Sequence, residues 1–384
     1  MKKKIIFLTG TRADFGKMRS IILELQNSKK FDVEVFATGM HLLRSYGLSV
    51  TEIKKVGIKK IYTFLNQKDK SYNRKMDITL SKTVNGFSEF ISRKKPDLIV
   101  VHGDRLEALA GAIVGAFNNI LTAHIEGGEL SGTVDNSIRH AVSKLSHLHF
   151  VSNSLYKKRL IQLGEVKKSI FVIGSPDIDI MVSKKLPTIS KVKRQYNINF
   201  REYSILIFHS VTTELKETPR QTKILLNAIK TSKKNFVVIY PNNDLGSKII
   251  INQYKKLKKN KRLKIFKTMR LTYFLTLLKN TNCIIGNSSA GIREAPFYGV
   301  PAINIGTRQN NRFRHRSVIN IRFNKNLILK TMKSLKNKKK LKKINHFGRG
   351  TSSLEFNKII SKSSFWKTKI QKSFVDRSYF DITN

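Results

Sequence analysis

A single cysteine, Cys283, stands in the 384-residue chain. An internal disulfide and a cysteine-built zinc cage are therefore excluded, because each needs several thiolates. Acidic residues are scarce as well: 25 Asp plus Glu face 74 Lys plus Arg, a formal net charge of +49. A field of that sign draws polyanions, so nucleic acid is the first partner class to weigh. The lysines concentrate over residues 54–60, 255–264 and 333–343, in stretches that read as exposed helix faces or loops. They lack the interleaved aromatics and base-contacting arginines of a dedicated nucleic-acid module. No specific nucleic-acid partner is expected, and the same potential serves a phosphate-bearing small substrate. Long apolar runs are missing too. The longest, residues 108–117, is about half of the roughly 20 residues that a spanning helix needs. The apolar start over residues 5–8 breaks at Thr9-Gly-Thr-Arg, far short of a signal h-region. A soluble, cytoplasmic protein without a membrane partner is expected. Walker A, G-x-G-x-x-G and H-E-x-x-H spacings are absent, which removes the usual NTP, NAD and zinc readings. Neither metal nor cofactor is expected.

What is present is an alternation. Apolar runs ending in Gly or a polar turn recur at residues 4–10, 33–39, 97–103 and 121–127, followed by helix-spaced segments such as Met18, Ile21, Ile22 and Leu25. Buried strands alternating with helices argue an α/β fold with parallel, doubly wound sheets. Similar runs restart at residues 204–208, 235–240, 283–286 and 301–306. The reading is two Rossmann-like domains facing a central cleft, over residues 1–185 and 186–360, with a linker near Pro187. A tail over residues 361–384, carrying Phe365, Trp366, Ile370 and Phe374, is expected to pack back as a helix.

Ligands collect at the carboxyl ends of strands in such sheets, and the polar motifs lie there. Gly10-Thr-Arg-Ala-Asp-Phe-Gly follows the first strand and could offer backbone N–H groups, Arg12 and Lys17 to phosphate. Asp104 with Arg105, then Glu126 and Asp135, put three carboxylates after strands of one sheet; brought together, like charges raise one pKa into a useful range. His209 follows the first strand of the second half, where an imidazole can move a proton or bond a phosphate. His41, His102, His124, His140 and His147 read as structural. Gly286-Asn-Ser-Ser-Ala-Gly-Ile-Arg-Glu opens a helix with Ser288 and Ser289 as a pyrophosphate cradle. Glu294 is placed to accept from two ribose hydroxyls, and Arg308 adds a cationic loop.

Taken together with Thr38-Gly-Met-His, Ile138-Arg-His-Ala-Val-Ser-Lys-Leu-Ser-His, Ile173-Gly-Ser-Pro-Asp, Pro241-Asn-Asn-Asp and Gly306-Thr-Arg-Gln, these motifs resemble the hydrolysing UDP-N-acetylglucosamine 2-epimerases that feed sialic acid synthesis. The resemblance spans nearly the whole length and implies a GT-B fold, a UDP-sugar substrate and a homodimer or homotetramer. It implies that Arg12, Lys17, Arg105, Asn242, Ser288, Ser289, Glu294 and Arg308 bind UDP-sugar, and that Asp104, Glu126, Asp135 and His209 are catalytic. The implied reaction removes the proton at carbon 2 and expels UDP to give a 2-acetamidoglucal. Water then adds with opposite stereochemistry at carbon 2, releasing N-acetylmannosamine.

Which carboxylate is base and which is acid stays open. One departure is Ser210, where the family commonly has proline; losing that ring is expected to loosen the loop holding His209 and to lower the rate. Three other activities remain open. They are the same reaction on a UDP-2,4-diacetamido-trideoxyhexose, a GT-B glycosyltransferase that passes the sugar to an acceptor, and a non-hydrolysing epimerase.

Overall fold

The computed structural model describes residues 2–68, 76–335 and 341–376; the tail beyond residue 376 and part of the lysine cluster at 333–343 lie outside them. The chain divides into two compact units. The first comprises Met1–Glu129, Asp135–Ser183 and His346–Asn384, the second Leu130–Val134 and Lys184–Asn345.

The sheet of the first unit is built from β1 (Lys3–Thr9), β2 (Phe31–Ala37), β3 (Ile61–Thr63), β4 (Leu98–His102), β5 (Leu121–Ile125), β6 (Leu148–Val151) and β7 (Ile170–Val172). All pairings are parallel, in the order β3-β2-β1-β4-β5-β6-β7. Its central strands are near-continuous apolar runs because helices cover both faces. The period of two shows in β1: Ile5 and Phe7 enter one core with Met18, Ile21 and Ile22, while Ile6 and Leu8 enter another with Phe36, Phe87 and Phe90. Each such side chain, fully buried, contributes about 1.5–3 kcal/mol.

In the second unit β8 (Ser204–Ile207), β9 (Phe236–Ile239), β10 (Leu263–Phe266), β11 (Ile284–Gly286), β12 (Ala302–Ile305) and β13 (Val318–Ile321) pair in parallel in the order β10-β9-β8-β11-β12-β13. Cys283 lies buried beside β11 with its Sγ 3.3 Å from Ser204 Oγ. Burial pushes that thiol up, away from the reactive thiolate.

The chain returns to the first unit at His346, earlier than the expected break at residue 361. The reason is the helix Ser352–Ile360, whose Phe356 and Ile360, one turn apart, join the core beside Met18 and Ile22. Asn357 also donates to Glu24 at 2.8 Å, and the Ser352 and Ser353 N–H groups donate to the Asp179 carboxylate at 2.9 and 2.7 Å. The following segment is not the helix expected from its apolar spacing. Among the described residues it makes one 3-10 turn, Ser363–Lys367, that buries Phe365, and then continues irregularly. Beyond that turn the segment also bonds outward to the first unit, as with the Ile370 carbonyl at His147 and Val375 N–H at Gly164.

Candidate active site

The strand order of the first sheet reverses between β1 and β4, and in open parallel sheets such a switch point leaves a crevice at the carboxyl ends of the strands. Asp104 follows β4, Glu126 follows β5, and Lys17 lies on the helix Arg12–Gln26 that follows β1. The β4–β5 register pairs His102 with Ile125, and Gly103 N–H donates to the Ile125 carbonyl at 2.9 Å. The sheet itself thus sets Asp104 and Glu126 side by side.

Glu126 is the centre of the cluster. Lys17 Nζ donates to its two oxygens at 3.0 and 3.2 Å, Ser175 Oγ donates at 3.1 Å, and His102 Nε2 lies 3.3 Å away. The Glu126 backbone is left-handed, φ +69°, a conformation that costs a non-glycine residue about 1–3 kcal/mol. It is held there from both sides: its N–H donates to the Phe150 carbonyl at 3.0 Å and its carbonyl accepts from Arg139 Nη1 at 2.7 Å. Arg139, only 2% exposed, turns its other terminal nitrogen onto the Asp104 carboxylate. One guanidinium therefore spaces the two candidate acids. Asp135 stands in the first turn of the same helix, Val134–Leu145, four residues before Arg139, which puts the two on one face.

Three expectations change. Part of the N–H array expected to face phosphate in the loop after β1 is instead taken by Asp14. Gly10, Thr11 and Phe15 N–H donate to its carboxylate at 3.0, 2.9 and 2.6 Å, and Thr11 completes a capping box. Lys17, expected on phosphate, pairs with Glu126 instead. His102, read as structural, faces the same carboxylate. Arg12 opens its helix and Arg105 stands at the N-cap of Leu106–Phe117, with Nε 4.0 Å from Glu107. Of the remaining histidines, His41 bonds Thr9 and Ser49 at 3.0 and 2.8 Å, and burial lowers it to about 4. His124 bonds the Gly103 carbonyl at 2.8 Å and is pushed well below its ordinary value by burial.

The second sheet reverses between β8 and β11, and its motif residues gather there. Asn287, after β11, accepts from His209 N–H at 2.7 Å and donates to the His209 carbonyl at 2.9 Å. Asn242 N–H donates to His209 Nδ1 at 3.1 Å; in the neutral ring that leaves the proton on Nε2, a donor. The Asn287 carbonyl in turn accepts from Gln309 at 2.8 Å and from Arg308 at 3.4 Å. His209, Asn242, Asn287 and Arg308 are thus one connected set.

Gly286 makes this possible. At φ +129° a side chain there would place its Cβ 1.9 Å from the Ile207 carbonyl oxygen. The helix expected after Gly286 is only a 3-10 turn, Ser289–Gly291, capped by Ser288, and then the short segment Glu294–Phe297. Such a turn offers individual N–H groups rather than the field of a long helix. Ser210 is buried and donates to the Leu245 carbonyl at 2.6 Å, so a hydrogen bond stands where a proline ring was expected to stiffen the loop.

Sequence reading missed Arg139, Ser175, Asn287 and Gln309. Their partners lie 13 to 78 residues away, and only the quoted motifs containing Arg139, Ser175, Asn287 and Gln309 hinted at them. Among the described residues, no group of three or more His, Cys, Asp or Glu side chains could hold a metal ion, and no helix is long and apolar enough to cross a membrane.

The sequence profile described as UDP-N-acetylglucosamine 2-epimerase matches residues 23–361. The chain is 41% identical to a UDP-N-acetylglucosamine 2-epimerase of Neisseria meningitidis serogroup B, over 97% of this chain and 99% of that one. It is 34% identical to a UDP-N,N'-diacetylbacillosamine 2-epimerase (hydrolyzing) of Legionella pneumophila, over 92% of this chain and 94% of that one. The fold is that of Methanocaldococcus jannaschii UDP-GlcNAc 2-epimerase, crystallised with UDP-GlcNAc and UDP, at a TM-score of 0.80 and 22% identity over 93% of this chain and 99% of that one. The two parallel-sheet domains are GT-B-like.

Proposed function

The chain belongs to the UDP-N-acetylglucosamine 2-epimerase family, and on that premise we propose that it hydrolyses UDP-N-acetylglucosamine to N-acetylmannosamine and UDP. The observation that carries this reading is the pairing of Asp104 and Glu126 at the β1/β4 switch point, spaced by Arg139 and faced by Lys17 and His102.

The chemistry asks for a base at carbon 2 and for compensation of charge on the departing diphosphate. One carboxylate removes the carbon 2 proton, and that electron pair forms the C1–C2 double bond as the C1–O bond breaks and UDP leaves. Water then adds its hydroxyl to C1 while a second acid delivers a proton to the opposite face of C2. Asp104, Glu126 and Asp135 are the groups for these transfers. Lys17 and Arg139 keep cationic charge at the reacting carbons. Arg12, Arg105, Ser288, Ser289 and Arg308 hold the diphosphate, whose neutralisation makes it a better leaving group. Glu294 takes the ribose hydroxyls, and the Nε2–H of His209, set by Asn242 and Asn287, bonds the diphosphate or the sugar. The product feeds sialic acid synthesis.

The test is incubation of the purified protein with UDP-N-acetylglucosamine in deuterated water, read by NMR. Free N-acetylmannosamine deuterated at carbon 2, with UDP, is expected. UDP-N-acetylmannosamine as the product would overturn hydrolysis. A second reading, the UDP-2,4-diacetamido-trideoxyhexose as substrate, is favoured by the 34% identity to the Legionella enzyme; turnover of that sugar alone would establish it.

A further inference from the structure

The first unit holds an ionic knot around a buried acid that the chemistry above does not use. Glu165, 2% exposed, accepts from Lys372 at 2.7 Å, is ion-paired with Lys144 at 3.1 Å and lies 2.9 Å from His149 Nε2. Lys372 comes from the carboxyl-terminal tail. The same ammonium donates to the Ser146 and Ser143 carbonyls at 2.5 and 3.2 Å, so its three donors meet three acceptors.

Those two carbonyls end the helix Val134–Leu145, where acceptors need donors and a cation is favoured. The tail is pinned on both sides of Lys372. The Ile370 carbonyl lies 2.9 Å from His147 Nε2, Val375 N–H donates to Gly164 at 3.1 Å, and Phe374 packs under Lys144 at 4.9 Å.

From Ser143 inward the bonding is continuous. Its Oγ lies 3.1 Å from both the Arg139 carbonyl and His124 Nδ1, and His124 Nε2 bonds the carbonyl of Gly103, the residue before Asp104. One turn up the helix from Ser143, Arg139 grips Asp104 and the Glu126 carbonyl.

We propose that Lys372 is a positioning residue: by capping the carboxyl end of the helix Val134–Leu145 it sets where that helix holds Arg139 and Asp135 for the reaction. This rests on the reading that Asp104, Glu126 and Asp135 act on the sugar. Although the Lys372 side chain is 24% exposed, its partner Glu165 is buried, and desolvation of that acid offsets part of the ion-pair energy, so the pair is a poor device for stability alone. The three directed bonds of the ammonium to a helix end and an acid instead define a position.

The test compares the full-length parent with Lys372→Met and Lys372→Arg, by steady-state kinetics and by amide hydrogen exchange. For Lys372→Met, kcat is expected to fall roughly tenfold to a hundredfold, the loss that a small misplacement of reacting groups produces, with KM for the UDP-sugar little changed. Lys372→Arg restores most of the rate. Exchange in Lys372→Met rises selectively over residues 134–145 compared with the helix Arg12–Gln26. Should Lys372→Met not fold, Lys372→Gln, which keeps two amide donors, takes its place. An unchanged kcat, or a lower melting temperature with exchange raised uniformly, overturns the proposal. A parent protein inactive on every UDP-sugar tried sinks the epimerase reading instead. Exchange then decides Lys372 by itself: a selective rise over 134–145 supports it, and no rise or a uniform one overturns it.

Discussion

Arg139→Met keeps the length and most of the volume of a buried side chain and removes its charge together with the bonds to the Asp104 carboxylate and the Glu126 carbonyl. Breaking a buried ion pair by deleting one partner costs about 3–5 kcal/mol. Asp104 is 18% exposed at its side chain, so water recovers part of the loss and the lower end, about 3 kcal/mol, applies. For a unit of this size each kcal/mol moves the melting temperature by about 2–4 °C, which gives a drop of about 6–12 °C. The two acids also lose their common spacer, and turnover is expected to fall about a hundredfold. Thermal unfolding followed by circular dichroism at pH 7, paired with the deuterium-exchange assay of turnover, measures both. Arg139→Lys should recover part of the stability and little of the rate, because an ammonium cannot reproduce the fork that reaches two oxygens. A melting temperature within about 2 °C of the parent, together with unimpaired turnover, would refute the assignment of Arg139 as the spacer.

Asp104→Asn and Glu126→Gln are each expected to abolish turnover while UDP still binds, and Arg308→Ala to weaken UDP binding; calorimetric titration with UDP beside the turnover assay checks all three, and retained turnover in both acid variants would sink the catalytic assignment. Gly286→Ala forces a Cβ to within 1.9 Å of the Ile207 carbonyl and should destabilise the second unit by at least about 2 kcal/mol and weaken UDP binding through His209 and Asn287, measured by denaturant titration and calorimetry. Stability should also fall steadily on acidification. Burial would raise the Glu165 carboxyl, but His149 and Lys372 outweigh it and hold it down to about 2 from an ordinary 4.5, while burial lowers His149 and His124 from 6.5. In each case the unfolded chain takes up the proton first, so stability is full above the unfolded value and is lost as pH falls, below about 6.5 for the histidines and between 4.5 and 2 for Glu165. Glu165→Gln should flatten the acid end of a plot of melting temperature against pH, and an unaltered plot would remove Glu165 from the account.

The local pattern of the chain determined the alternation of strand and helix, the parallel pairing and the place of Asp104, Glu126, His209 and Ser288 just beyond strand ends. Buried parallel strands are continuous apolar runs, and chemistry-bearing residues can only follow where such runs stop. The edge strands β3, β10 and β13 escaped because one flank of an edge is open and its residues need not be apolar; β10 lies beside the lysine run at 255–264 and is only partly buried.

Tertiary structure alone decided who meets whom. Asp14 taking part of the N–H array of the β1 loop, Lys17 turning to Glu126 across 109 residues, Arg139 spacing two acids, and the return of Phe356 and Ile360 to the first core are set by sheet order and register. A window of sequence carries the period of an element but not the partner that a side chain finds once distant strands lie side by side.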